Sequence, residues 1–296
     1  MSHPSRDNMA GRIYLDLRAL ARRDGRATDE LITLYILERF LYRLSRSRHR
    51  DRLVLKGGML LAALDERRPT RDVDLLAQAV SNDADTIAAV VRDILTVDVD
   101  DGVVYERQNL TAQEIREQGL YAGIRIVVPA YLHRARQPLR IDVSIGDPVT
   151  PAPGEIDYPA LLDEPFPVIA YPIETVLAEK IVTMIDRGDT TTRERDFADV
   201  ALLISRHEID APRLLAAIAA TATHRQSDLR PLAESLKTLA EIRQTDWHRY
   251  IRRTGLDDQV PAGYADTIAD IAAFADPILT RVVTSGHWNP VSRKWQ

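Results

Sequence analysis

There is no cysteine in this chain. That removes disulfides, thiolate metal sites and cysteine nucleophiles in one step, and it fits a reducing compartment. Nor is there an excess of positive charge: 39 Lys and Arg stand against 44 Asp and Glu, a net charge of −5. A protein drawn to nucleic acid by its whole surface would be basic, so any RNA contact has to use local patches. Long apolar runs are missing too. No stretch approaches the ~18 apolar residues of a membrane span. Residues 1–12 are polar and lack the apolar core of a secretory signal. The expectation is a cytoplasmic protein without membrane contact. The seven histidines fall at no metal-ligand spacing.

The chain has 296 residues, 45% of them hydrophobic, enough for one large domain or two lobes. Its first fifty residues read as helical. Leu31, Leu34, Leu37, Leu41 and Leu44 belong to an apolar stripe at helical spacing, with Thr28 as the expected N-cap. A basic stretch follows, then Leu53-Val54-Leu55, then Lys56-Gly57-Gly58 and a helical Met59 to Leu64. Asp72-Val73-Asp74-Leu75-Leu76 alternates with period two and predicts a strand. Ala84 to Leu95 predicts a helix. Val103 to Glu106, Ile124 to Val128 and Leu139 to Ile145 predict further strands. Pro159, Pro165 and Pro167 predict irregular or extended chain. After Pro172 the period becomes helical, through Arg193 to Ile204 and Leu214 to Ala222, to about Leu279. Pro277, Gly286 and Pro290 predict a loosened tail. The fold class expected is α/β (α+β): a mixed-sheet lobe followed by a helical lobe. The boundaries are residues 1–50 as a helical segment packed on the first lobe, 51–168 as that lobe, and 169–296 as the helical lobe.

Carboxylates and glycines carry the chemistry of the first lobe. On a strand, residues two apart share a face. With Val73 and Leu75 facing the core, Asp72 and Asp74 face out together. Two carboxylates this close stay ionised most easily with a cation between them, and an oxygen pair suits Mg²⁺ or Mn²⁺ completed by water and substrate phosphates. Asp142 lies in phase on its own strand, between Ile141 and Val143, to supply a third carboxylate. Three such groups can hold two metals at the ends of an in-line displacement. Gly57 and Gly58 let the main chain approach a phosphate at a strand-to-helix turn. Each feature alone has a plainer reading: a turn, a solvated strand edge, a pairing of Asp142 with Arg140. Their combination in this order points to a triphosphate–metal site.

The order Lys56-Gly57-Gly58, then Arg68-Pro69-Thr70-Arg71-Asp72-Val73-Asp74, resembles the AbiEii/AbiGii toxin family of nucleotidyltransferases. That family lies in the DNA polymerase β-like superfamily and includes the mycobacterial MenT toxins. Two later motifs fit the same order: Ala178-Glu179-Lys180, and Arg193-x-x-Asp196-x-x-Asp199. The resemblance runs from Lys56 to about Asp199. It departs at Met59, where the superfamily often has a serine. It implies a polymerase β-like nucleotidyltransferase lobe with a mixed sheet. It also implies an NTP substrate held by Lys56, Gly57, Gly58, Arg68, Thr70 and Arg193, and a metal on Asp72, Asp74 and Asp142.

Lys180 also stands out by position, on the apolar stripe of Ile173, Val176, Leu177 and Met184. A charge there is costly unless paired, or its stem snorkels. The alternative to snorkelling is an ammonium that reaches phosphate oxygens. The resemblance implies phosphate contact for Lys180 and an orienting role for Asp196. A solvated ion-pair ladder of Arg193, Asp196 and Asp199 is the plainer reading of that helix.

The reaction implied is transfer of a nucleoside monophosphate to the tRNA 3′ end with loss of pyrophosphate. The partner implied is a cognate antitoxin encoded nearby. Transfer to a protein hydroxyl, a D-x-D glycosyltransferase and a non-enzymatic NTP-binding regulator are the alternatives. Basic clusters able to meet RNA are Arg46, Arg48, Arg50 and Arg52; Arg134, Arg136 and Arg140; and Arg249, Arg252 and Arg253.

Overall fold

The computed structural model describes residues 5–64, 70–81, 83–117 and 121–296. The chain divides into two compact units. One comprises residues 1–146 and 154–170, the other residues 147–153 and 171–296.

The first unit begins with two helices, α1 (Met9–Arg23) and α2 (Thr28–Ser45). Strand β1 (Leu53–Lys56) leads through the short helix α3 (Gly57–Ala63) to β2 (Val73–Ala77). Helix α4 (Ala84–Ile94) and strands β3 (Val103–Tyr105), β4 (Thr111–Glu117), β5 (Tyr121–Leu132) and β6 (Ala135–Ile145) follow. Strands β7 (Gly154–Tyr158) and β8 (Phe166–Ala170) return to the same unit. All eight form one sheet in the order β3-β5-β6-β2-β1-β8-β7, with β4 on β5. It is a mixed sheet: β2 with β6 and β1 with β8 run parallel, and the other pairs antiparallel.

Alternation sets the two faces of the sheet. Val73, Leu75, Ile141 and Val143 are buried, as expected, so the residues between them lie on the other face. Helix α2 packs against β5, β6 and β8. Ion pairs add to its apolar stripe. Arg43 donates to both carboxylate oxygens of buried Asp101, at 2.5 and 3.2 Å. Arg39 donates to Glu38 and Asp163, at 2.8 and 2.7 Å. Arg43, near the end of α2, is therefore core. Thr28 is the first helical residue and not the cap. Ala27 precedes it without a side-chain cap bond, and Asp29 and Glu30 offset the exposed amides of the first turn.

The proline-rich stretch includes extended chain, as expected, and part of it pairs into the sheet. Pro167 sits inside β8, facing Asp157 of β7. Proline has no N–H to give a second neighbour. The pairing of β8 with β1 lies beyond it, at Leu55 with Ala170.

The second unit holds α5 (Ile173–Arg187), α6 (Glu194–Arg206), α7 (Ala211–Arg225), the short α8 (Leu232–Ser235), α9 (Leu239–Thr254) and α10 (Tyr264–Leu279). It also holds a small sheet of β9 (Ile209–Asp210), β10 (His287–Asn289) and β11 (Lys294–Trp295). Residues 147–153, placed by sequence with the first lobe, belong here. The tail is ordered, against expectation, because its two tryptophans are anchors. Trp288 donates to the Ile204 carbonyl at 2.7 Å, and Trp295 to that of Phe274 at 2.9 Å. Among the described residues, no helix is long and apolar enough to cross a membrane.

Candidate active site

Strand register assembles a polar row across the first unit's sheet. Lys56 of β1 faces Asp74 of β2, and Asp74 faces Asp142 of β6. Asp142 faces Arg125 of β5, and Arg125 faces Gln113 of β4. Residues directly opposite in a sheet share a face, so five strands present one line of polar side chains. Lys56, Asp74 and Asp142 line a small pocket with Ser144, Gly123 and Ile115. Ser144 is buried on the same face as Asp142, two residues on.

Gly57 is where the main chain meets this row. Its φ is +66°, a region that favours glycine. A Cβ built there would lie 1.8 Å from Oδ2 of Asp74. The Asp74 carboxylate therefore rests in a cradle that only glycine leaves open. Gly58 is buried in the first turn of α3. That helix has seven residues, and the close approach that Gly57 allows is the one made by the Asp74 carboxylate. Asp72 precedes β2 and is half-buried. The Thr70 hydroxyl donates to its Oδ1 at 3.2 Å and lies 3.3 Å from its carbonyl. Thr70 thus orients the Asp72 carboxylate. Arg68 lies outside the described residues.

The third carboxylate has a partner that sequence reasoning missed. Arg125 forks onto Asp142, with Nε to Oδ1 at 2.8 Å and Nη2 to Oδ2 at 2.6 Å. The pairing with Arg140 considered from sequence is not the one formed. The Asp142 hydrogen bonds and charge hold the Arg125 guanidinium above its ordinary pKa, and Asp72 and Asp74 add to the effect. A signal for Arg125 was available. Leu132 and Ala135 pair across a two-residue turn at His133 and Arg134, and counting back seven residues on each side gives Arg125 opposite Asp142.

Among the described residues, no group of three or more His, Cys, Asp or Glu is arranged to hold a metal. The two carboxylates of Asp72 and Asp74 do fit a Mg²⁺ ion that takes its remaining ligands from water and phosphate. The open cradle at Gly57 keeps one of them in place.

The second unit gathers the later motifs. Nζ of Lys180 donates to Asp196 Oδ1 and to Asp199 Oδ2, both at 2.7 Å. Arg193, just before α6, donates to the other oxygen of Asp196. The aspartates are 3% and 1% exposed, and the Lys180 side chain 15%. This is a buried network and not a solvated ladder. Burial alone would raise the Asp196 pKa, but the Lys180 and Arg193 charges outweigh it and hold the carboxyl below its ordinary range. Lys180 does not snorkel, since two carboxylates hold its ammonium inside.

The basic clusters are partly neutralised. Arg48 pairs with Asp93 at 2.9 Å, Arg50 with Glu155 at 2.5 Å, and Arg249 with Asp246 at 2.6 Å.

No curated protein matches the chain. Two solved structures from Helicobacter pylori resemble it in fold: one described as a candidate nucleotidyltransferase, and JHP933. Each is 15% identical, with a TM-score of 0.50 over 86% of this chain, covering 97% and 94% of the respective neighbour. Their identity is low enough that they bear on fold alone, and both agree with a mixed sheet flanked by helices. The profile of the family described as "Nucleotidyl transferase AbiEii toxin, Type IV TA system" matches residues 39–273. That span takes in the polar row, the Gly57 cradle and the Lys180 network, and the chain belongs to this family of toxin nucleotidyltransferases, whose type IV systems pair a toxin with a cognate antitoxin.

Proposed function

We propose that the protein transfers a nucleoside monophosphate from an NTP to the 3′ end of tRNA. The acceptor oxygen bonds to the α-phosphorus, the bond from that phosphorus to the bridging oxygen breaks, and pyrophosphate leaves. The hydroxyl proton passes to solvent or to a carboxylate of the row. The observation that carries this reading is the register of Asp74 and Asp142 on adjacent parallel strands, beside a glycine whose missing side chain leaves room for the Asp74 carboxylate. Asp72 and Asp74 would hold a divalent ion, Mg²⁺ or Mn²⁺, which when bound neutralises phosphate charge. Asp142 is assigned to orienting the attacking hydroxyl. Lys56 supplies positive charge at the end of the row. Lys180 and Asp196 are assigned to the nucleotide by family resemblance. Blocking the tRNA 3′ end would stop translation, and a cognate antitoxin would restrain the enzyme in the cytoplasm.

The test is incubation of the purified chain with total tRNA, Mg²⁺ and each of four NTPs labelled at the α-phosphate. Label on tRNA is the expected result. Label on protein alone overturns the acceptor, and no label with any NTP overturns the activity.

A further inference from the structure

We propose that Arg125 stands where a second cation would otherwise sit, so that the acidic row takes one divalent ion and not two. The proposal rests on the reading of Asp72 and Asp74 as the ion-holding pair.

Three observations carry it. First, the guanidinium engages both oxygens of Asp142, at 2.8 and 2.6 Å, in the planar fork that an arginine makes and a lysine cannot. An ion bound by Asp142 would have to displace that fork or lie against it. Second, the place is set by the backbone. Arg125 and Asp142 are opposite one another in a hairpin whose register holds over ten residue pairs, so the guanidinium cannot drift to another row without breaking the pairing. Third, the formal charges of the site leave room for one divalent ion. The three carboxylates, with Lys56 and Arg125, sum to one net negative charge. One divalent ion turns this to +1, and a second would leave +3 on a single face.

Arg125 is then a positioning residue. It acts through Asp142, fixing that carboxylate's plane and neutralising it without a metal. Arginine keeps its charge at any pH at which the protein is folded, so this neutralisation does not depend on ion concentration. The side chain is 45% exposed against 14% for Asp142, so removing it opens Asp142 to solvent and to ions.

The experiment counts Mn²⁺ bound to the full chain, by the electron paramagnetic resonance signal of the ion left free in a titration with Mn²⁺ alone. The wild type is expected to bind one ion, and Arg125→Ala two. Arg125→Ala combined with Asp142→Asn is expected to return to one, which a merely structural role for Arg125 does not produce. Arg125→Lys should stay at one, because an ammonium still occupies the place. Where Arg125→Ala unfolds, Arg125→Gln keeps the apolar stem as far as Cδ, removes the charge and the fork, and serves instead. Two ions in the wild type, or one in Arg125→Ala or its substitute Arg125→Gln, overturns the proposal and leaves the ion-holding pair standing. No ion in any of these proteins overturns the pair itself, and the proposal with it.

Discussion

The main chain at Gly57 lies against the carboxylate of Asp74, so close that a single added methyl would come within 1.8 Å of its outer oxygen. Glycine at this place is a statement about the aspartate as much as about the turn. Gly57→Ala must either push Asp74 out of the row or twist the backbone away from φ +66°. The strain should cost about 1–3 kcal/mol of stability. Transfer should fall on the order of 10²-fold or more, as for removal of one group that stabilises the transition state. Melting temperature and kcat together check this. Wild-type kcat in Gly57→Ala would show that the placement of Asp74 does not matter to the reaction.

The carboxylates themselves give the second expectation. Asp72 and Asp74 are half-buried on the open face, outside the apolar layer formed by Val73 and Leu75. Replacing either with Ala should abolish label transfer and leave the unfolding transition close to wild type. Chelation by EDTA should abolish transfer in the same way. Full activity in EDTA would remove the divalent ion from the reaction.

Lys180 behaves differently from a lone charge on an apolar face. From sequence, its removal could have raised stability. The structure reverses that sign, because Lys180→Ala leaves Asp196 and Asp199 buried without the cation they share. Breaking such a pair from one side costs about 3–5 kcal/mol. Denaturant unfolding of Lys180→Ala should show a loss of that order, and adding Asp199→Asn should restore part of it. A loss under ~1 kcal/mol, the scale of a solvated surface pair, would mean the network is open to water.

The same network sets an acid limit. Asp196 binds its proton more weakly folded than unfolded, because the Lys180 and Arg193 charges outweigh its burial. Its contribution to stability is complete above the unfolded value of about 3.9. It is lost as pH falls from there toward the depressed folded value. Asp196→Asn should flatten the stability profile below about pH 4 relative to wild type. Parallel acid profiles would assign the acid sensitivity to other carboxylates.

Harm to the cell, on the proposed reading, comes from chemistry and not from sequestration of RNA. Expression without the antitoxin should slow growth, and Asp74→Ala should bind tRNA yet spare the cell. Transfer should weaken steeply with salt. Growth arrest by Asp74→Ala as strong as by wild type would replace catalysis with a binding mechanism.

What the sequence showed and what it hid divide along local and long-range lines. The alternation in residues 72–76 and 139–145 placed Asp74 and Asp142 correctly on their strands, because period-two patterning is a local property, while Asp72 falls one residue ahead of its strand. The row they join is not local. It depends on β1 lying between β2 and β8, and on β6 lying beside β2, orders that no single segment encodes. Arg125 was passed over although Ile124 and Ile126 mark its strand, since an arginine on an open face looks solvated until its cross-strand partner is known. Asp199 was read as one rung of a surface ladder, because helical spacing gives the face and not the depth. The tail was misjudged for the same reason: Gly286 and Pro290 signal turns, while the burial of Trp288 is a property of the helices it meets.

The closing of β1 by β8 has a consequence on the ribosome. Leu55 and Ala170 are neighbours in the sheet but are synthesised far apart. At ~5–20 residues per second, about 6 to 23 s separate their emergence. During that interval the strand before the Gly57 cradle has an open edge, the kind of surface on which chains aggregate. All five residues of the polar row have by then been made, the last being Asp142. A nascent chain stalled before residue 170 thus carries the residues of the polar row on an unfinished sheet, and synthesis past Ala170 is the step that closes the edge of β1.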